Sequence, residues 1–304
     1  MSTISRKQVI ALVLALILLG AGIFVFTLLN VQNAEMPVVV EQEPEVVIDT
    51  SPVPVRTRIG TSVEGRVIEA VTFGSGPTKL LFVGGVHGGY EWNSVLLAYG
   101  FIDYFTANIE AVPSDLTVSI IPSLNPDGLF DVTGTEGRFY ASDVLTDPAS
   151  LAAARFNANE VDLNRNFDCK WQSESSWRGN VVSAGDAAFS EPEAVALRDF
   201  VAVYAPDAVV FWHSQANTVY ASECEEGVLP ETVTVMNAYA VAANYNSVES
   251  FDAYPVTGDA EGWLASLGIP AITVELETHE TVEWDRNLQG VTALLNYYSE
   301  ELAR

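Results

Sequence analysis

Positive charge is what this 304-residue chain has least of: 14 Lys and Arg stand against 40 Asp and Glu, for a formal net charge of −26. That balance argues against a nucleic-acid partner, because phosphate backbones are bound with Lys and Arg. It argues equally against peripheral adsorption to anionic lipid. The acidity reads as the solubility of an exported or salt-adapted protein, with attraction of cationic substrates as the sharper alternative. Histidine and cysteine are scarce too, at three and two residues. No internal repeat and no second shift of composition follows the N-terminal region, so one domain is expected. An apolar content of 49% supports a sizeable core.

Charge is missing altogether from Gln8 to Ala34. Within that stretch Val9–Leu29 is a run of 21 almost unbroken apolar residues. At ~1.5 Å per residue such a run spans a hydrocarbon core of ~30 Å. Arg6 and Lys7 precede it and acids follow it, which puts the N-terminus in the cytoplasm. The expectation is a cytoplasmic N-terminus at 1–7, one transmembrane helix at 8–31, and an extracytoplasmic remainder. A long cleaved signal is the alternative, although signal cores usually run ~7–15 residues; neither a lipobox cysteine nor a sharp cleavage site follows. Residues 32–58 carry Pro37, Pro44, Pro52 and Pro54 among the acids Glu35, Glu41, Glu43, Glu45 and Asp49. This composition predicts an extended linker. Its valines leave open that part of it pairs as an edge strand.

Residues 59–304 read as an α/β domain. Arg66–Phe73 alternates as an edge strand does, and Lys79–Val86 and Leu116–Pro122 have the β-branched content of buried strands. Trp92–Ala107 between them is long enough for a crossover helix. Ser190–Tyr204 opens with Ser190 and Glu193 at capping-box spacing and Pro192 in the first turn. Ala208–Trp212 and Ala271–Leu276 are further strands, and Trp284–Tyr298 carries a helical apolar stripe. Strands alternating with helices predict a largely parallel or mixed sheet covered on both faces.

The chemistry gathers at strand ends. In LLFVGGVHGGYEWN an apolar run ends in glycines, then presents His87 and, four residues on, Glu91. His213 closes the apolar run DAVVFWHS, and Glu275 sits inside a third, AITVELE. Three strands that each deliver a metal-ligand or acid/base side chain form a constellation. His279 lies past its strand and reads as a supporting or surface residue. SLNPDGLF, at Ser123–Phe130, reads as a strand end followed by a Pro-Asp-Gly turn. VDLNRNFD sets Asn164 beside Arg165 in a loop, a pair suited to bidentate capture of a carboxylate. A loop salt bridge is the plainer alternative.

HGGYEW, NPDG, VDLNRNFD, WHS and TVEL, in this order, resemble the zinc carboxypeptidase family (M14-type metallocarboxypeptidases) from about Arg66 to the C-terminus. The resemblance implies an α/β/α sandwich around a mixed, mostly parallel sheet of about eight strands. It also implies one zinc per chain, held by His87, Glu91 and His213, with an open fourth position. By the same resemblance Glu275 matches the general base, Asn164 and Arg165 the grip on the substrate's C-terminal carboxylate, and Tyr254 the mobile tyrosine. Arg155 is the expected oxyanion arginine, with Arg138 as the alternative. Glu261 falls where an acid accompanies preference for amine-bearing C-terminal residues; Asp259 and Glu261 otherwise read as first-turn acids of a helix. The family's first pair is usually His-x-x-Glu, whereas here the spacing is four and Tyr90 stands at three.

The expected activity is therefore zinc-dependent hydrolysis of the C-terminal peptide bond of peptides with a free carboxylate. Trimming of peptidoglycan stem peptides or deacylation on the same fold is one alternative. A catalytically inactive peptide- or wall-binding domain is the other. An extracytoplasmic Cys169 and Cys224 suit a disulfide, worth on the order of 4 kcal/mol in the chain-entropy account; two separate thiols are the alternative.

Overall fold

The computed structural model describes residues 54–251 and 255–301, together with Lys7 and Ile10. Apart from Ile10, the anchor expected at 8–31 lies outside the described residues, as do nearly all of the expected linker and Tyr254. Among the described residues no helix is long and apolar enough to cross a membrane.

The chain lays down β1 (Val55–Thr61), β2 (Val67–Gly74) and β3 (Thr78–Val83), then α1 (Trp92–Ala107), β4 (Leu116–Ile121), α2 (Pro126–Thr133) and α3 (Pro148–Ala153). A hairpin, β5 (Glu174–Trp177) and β6 (Asn180–Ser183), precedes α4 (Pro192–Tyr204) and β7 (Ala208–Ser214). There follow β8 (Thr218–Ala221), the two-residue strands β9 (Glu223–Cys224) and β10 (Gly227–Val228), α5 (Pro230–Ala243) and β11 (Asn246–Val248). The last elements are α6 (Ala260–Ser266), β12 (Ala271–Leu276) and α7 (Trp284–Glu301).

One eight-stranded sheet carries the fold, in the order β1-β2-β4-β3-β7-β12-β8-β11. Its centre, β4-β3-β7-β12, is parallel throughout. β1, β2 and β8 join antiparallel, and β11 pairs parallel with β8 at the far edge. Alternation along the central strands divides the core in two. Leu80, Phe82, Val210, Trp212 and Val274 pack one face against α1, α5 and α7. Leu81, Val83, Val209 and Phe211 pack the other against α4 and α6. Both faces are covered, so the result is the expected α/β/α sandwich around a mixed sheet. Trp212 joins the layers on the first face, stacked on Phe82 at 5.3 Å and on Phe101 at 5.2 Å.

Three local readings need correction. Residues 66–73 are not an edge: β1 covers β2 antiparallel, drawing the end of the expected linker into the sheet. Asn125-Pro-Asp-Gly is not a free turn but the start of α2. The Asn125 side chain accepts from Gly128 N at 2.9 Å, Pro126 opens the helix, and Gly134, at φ 64°, ends it. Turn and helix start share this chemistry, which is why the sequence alone reads either way. The capping box before α4 does not form. Ser190 Oγ donates to Glu191 instead, and Glu193 accepts from Val63 N and Asn157.

Candidate metal centre

Parallel strands bring their carboxyl ends to one side of a sheet, and the side chains of interest sit there. After β3 the chain turns through Gly84 and Gly85, which bond to the turn that follows β4: Leu124 N donates to Gly84 O and Asn125 N to Gly85 O. His87 comes next, followed by a tight turn over Gly88–Glu91. Gly88 has φ 46°, and a Cβ there would stand 2.7 Å from Ala154 O. Only glycine lets the turn lie this close to its neighbours. The turn resolves the unusual spacing. Its helical winding returns Glu91 to the side of His87, four residues back, with Oε1 2.8 Å from His87 Nδ1. Tyr90, the extra residue, is pushed outward.

His213 enters from the end of β7, its Nδ1 2.9 Å from Glu91 Oε2 and 3.1 Å from His87 Nδ1. Among the described residues these three side chains form a group of potential ligands, with one atom of each within 4.8 Å of the others. All three are buried. Each imidazole has a carboxylate on its far side. His87 Nε2 lies 3.5 Å from Asp162 Oδ1, and His213 Nε2 lies 3.2 Å from Glu261 Oε1. Both Nε2 atoms are buried without a well-formed hydrogen bond, so the outer carboxylates approach them as charges; two imidazoles and one inner carboxylate suit a zinc ion chemically.

The electrostatics agree with a cation site. Burial alone would raise the Glu91 carboxyl, but His87 and His213 outweigh it and hold it well below the usual range. Burial would likewise lower His213, yet Glu91 and Glu261 together raise it well above its ordinary value. Glu275, on β12 beside His213 in register, is pushed up to about 8, first by burial and then by the Glu91 carboxylate. Its Oε2 is buried with no hydrogen-bond partner. A cation among the ligands would pull this group back toward its ionised form.

Arg155 reaches the same place. Its Nε donates to Asp162 Oδ2 at 3.0 Å, its Nη2 lies 2.9 Å from that oxygen, and its Nη1 stands 3.8 Å from Glu91 Oε1. Arg138 does not: it pairs with Asp103 on the surface and lies over the Tyr99 ring. Asn164 Oδ1 accepts from Ala260 N at 2.9 Å, fastening that loop to α6. Arg165 is only 3% exposed, donates to Asn164 O and Ser176 O, and keeps a buried Nε with no partner. Cys169 and Cys224 form the expected disulfide, with Cα atoms 6.0 Å apart. The three potential ligands, Glu275, Arg155, Asn164, Arg165 and Cys169 line one cleft of about 830 Å³.

Two placements were not legible beforehand. Glu261 Oε1 lies within reach of both His213 and Thr273, so Glu261 supports a ligand as well as lining the cleft. His279 also lines the cleft. Asn93 Nδ2 donates to Thr278 O and Thr281 O, so its Oδ1 accepts from Ser214 Oγ. Ser214 Oγ is then the acceptor at 2.7 Å from His279 Nδ1, which must carry the hydrogen. The lone pair falls on Nε2, which has no partner. The only signal in the sequence was the rarity of histidine.

A buried ligand triad at strand ends, a carboxylate of raised pKa in register with it and a roomy cleft in front define a metal-dependent hydrolase. The chain belongs to the zinc carboxypeptidase family, whose description its residues 49–289 match, and is a zinc-dependent hydrolase of that family. It is 24% identical over 240 residues to gamma-D-glutamyl-L-diamino acid endopeptidase 1 of Lysinibacillus sphaericus, an alignment covering 72% of this chain and 60% of that protein. Uncharacterized protein YqgT of Bacillus subtilis (strain 168) is 26% identical over 261 residues, 75% of this chain and 69% of the other. Among solved structures, bovine thrombin-activatable fibrinolysis inhibitor in complex with tick carboxypeptidase inhibitor shares the fold at a TM-score of 0.64. The identity is 20%, and 82% of this chain and 91% of that chain are covered. Murein-tripeptide amidase MpaA from Escherichia coli O157 does so at 0.54, with 23% identity over 81% and 93% of the two chains.

Proposed function

We propose that this chain is a metallocarboxypeptidase that removes the last residue of peptides with a free C-terminal carboxylate. His87, Glu91 and His213 would hold the zinc. Zinc bound there supplies Lewis acidity, polarising the scissile carbonyl and acidifying water. Glu275 takes the proton of the attacking water and hands it to the leaving nitrogen. Arg155, held by Asp162, offers its Nη1 toward the developing oxyanion, where loss of one donor typically costs ~10²–10³ in rate. Asn164 and Arg165 grip the terminal carboxylate, and Tyr254 closes over the substrate by resemblance alone.

The observation that carries this reading is Arg165. A buried guanidinium is expected to hold an acid at ion-pair distance, yet Asp162 and Asp259 act on Arg165 only from farther off, its hydrogen bonds go to two carbonyl oxygens, and its Nε is unmatched beside the cleft. A substrate carboxylate completes it. The test compares a peptide with its C-terminal amide: the free acid should be cleaved and the amide spared. Equal cleavage of both overturns the exopeptidase reading.

A second reading keeps the machinery and changes the substrate. Glu223 and Asp259 line the same cleft as Glu261. These acids favour an amine-bearing terminal residue such as Lys, Arg or a diamino acid. The names of the relative from Lysinibacillus and of the murein-tripeptide amidase point the same way, toward stem peptides. A higher kcat/KM on peptides ending in Phe than in Arg would sink the preference.

The apolar run at 9–29 and the Cys169–Cys224 bridge both support an anchored, extracytoplasmic enzyme. Recovery of the chain in the detergent-extracted membrane fraction, cleavable from outside, is the expected result; release into the medium without its N-terminus would favour a cleaved signal.

A further inference from the structure

The cleft has two chemically unlike walls. Glu223, Asp259 and Glu261 gather on the wall carried by α6 and β9, to which Asn164 is tied through Ala260 N. The other wall is aromatic. Tyr90 stands edge-on to Trp177 at 5.1 Å and to His279 at 4.6 Å between ring centroids. Arg178 crosses this shelf with Cζ 5.6 Å from the centre of the Trp177 ring and 5.9 Å from that of Tyr90.

Arg178 sits at the tip of the β5–β6 hairpin, in a two-residue turn with Gly179. Both residues have positive φ, 51° and 78°. Such a turn favours Asn and Gly, so an arginine in its first position is held there against backbone preference. The hairpin is fixed at its base, where Asp162 N donates to Ser183 O and Ala184 N to Ser173 O. Its tip is therefore aimed.

Acids outnumber bases heavily in this chain, and most of its arginines are taken. Arg56, Arg66, Arg138, Arg155, Arg198 and Arg286 each have a carboxylate within ion-pair distance. Among the described residues Arg178 has none. A guanidinium stacked near two aromatic rings, unpaired and facing a substrate cleft, is a ready partner for a planar anion.

We infer that Arg178, on the Tyr90–Trp177 shelf, binds a second carboxylate of the substrate, carried by the residue on the acyl side of the scissile bond. This rests on the carboxypeptidase reading, which already assigns the terminal carboxylate to Asn164 and Arg165. The preferred substrates are then peptides with an acidic penultimate residue. Glu261 and Arg178 would read opposite charges on the two sides of one bond.

The test uses the purified full-length chain, loaded with zinc, and two peptides that differ only in Glu or Gln before the terminal residue. The Glu peptide should be favoured in kcat/KM by about three- to tenfold at low ionic strength, the range expected of a partly exposed ion pair. The preference should lie in KM, weaken with added salt, vanish in Arg178→Gln and return in part in Arg178→Lys. No preference in the parent, or an unchanged preference in Arg178→Gln, overturns the inference. Calorimetry of both peptides on the zinc-loaded Glu275→Gln chain separates the two claims. Tighter binding of the Glu peptide without turnover by the parent would support the subsite and refute the hydrolytic reading. Equal binding, or none of either, refutes the subsite.

Discussion

Glu261 lies 3.2 Å from Nε2 of His213, 48 positions back in the chain, on the side away from Glu91. The carboxylate selects the tautomer that presents Nδ1 to the metal and adds basicity to the ring. Glu261→Gln should therefore weaken zinc binding by about 10–100-fold, the usual effect of losing such a partner. Competition against a chromogenic chelator measures it. Unchanged zinc affinity would return Glu261 to a role in substrate choice alone.

Glu275 is proposed as the proton carrier, without a share in holding the metal. Glu275→Gln should retain one zinc per chain and lose about 10²–10⁴ in kcat/KM. Metal analysis and peptide hydrolysis on one preparation check both halves. Glu91→Ala should behave the other way, losing zinc first and activity with it. Chelation should abolish the activity of the parent, and added zinc should restore it.

Asp162 is fully buried between Arg155 and His87. Burial would raise its carboxyl, but Arg155, His87 and Arg165 outweigh burial and hold it well below the usual range. A depressed carboxyl stabilises the fold fully above its unfolded pKa and progressively less as pH falls beneath it. Asp162→Ala leaves the buried Arg155 with only Glu91, 3.8 Å away, for an acid and should cost on the order of 3 kcal/mol at neutral pH. The deficit should stay constant above about pH 5 and shrink below about pH 4. Urea unfolding of parent and variant across that range reads it out, and a deficit that grows with acid would contradict the assignment.

His279 is held below its ordinary pKa, chiefly by burial, and its Nδ1 hydrogen is dictated by the Asn93–Ser214 chain. At pH 7 it should therefore be neutral and Nδ1-protonated. Long-range ¹⁵N–¹H NMR distinguishes this from the commoner Nε2–H form. Ser214→Ala should release the preference and mix the two tautomers.

The strand ends that carry His87, His213 and Glu275 could be read from the sequence because each is a polar residue closing an apolar run, and histidine is rare here. The crossover helix 92–107 and the strand 271–276 were legible to the residue, since apolar pattern and flanking turns agree. Glu91 needed the structure, because its spacing makes sense only on a helically wound turn. The partnership of Glu261 with His213 and the pairing of β1 with β2 are contacts between distant segments, for which local pattern carries no signal. Arg178 was invisible for another reason. Ser-Ser-Trp-Arg-Gly-Asn-Val-Val contains no metal ligand or nucleophile, and only the hairpin turn shows where the arginine is sent.

The Cys169–Cys224 bridge closes a loop of chain that contains the β5–β6 hairpin, α4, β7 with His213, and β8. A protease that cuts the exposed bond after Arg178 would sever the backbone inside this loop without separating the halves. The nicked enzyme would migrate as one band until reduced and as two afterwards, with the metal ligands divided between fragments. Integrity of this site in a protease-rich setting is thus a property of the covalent circuit and not of the unbroken chain.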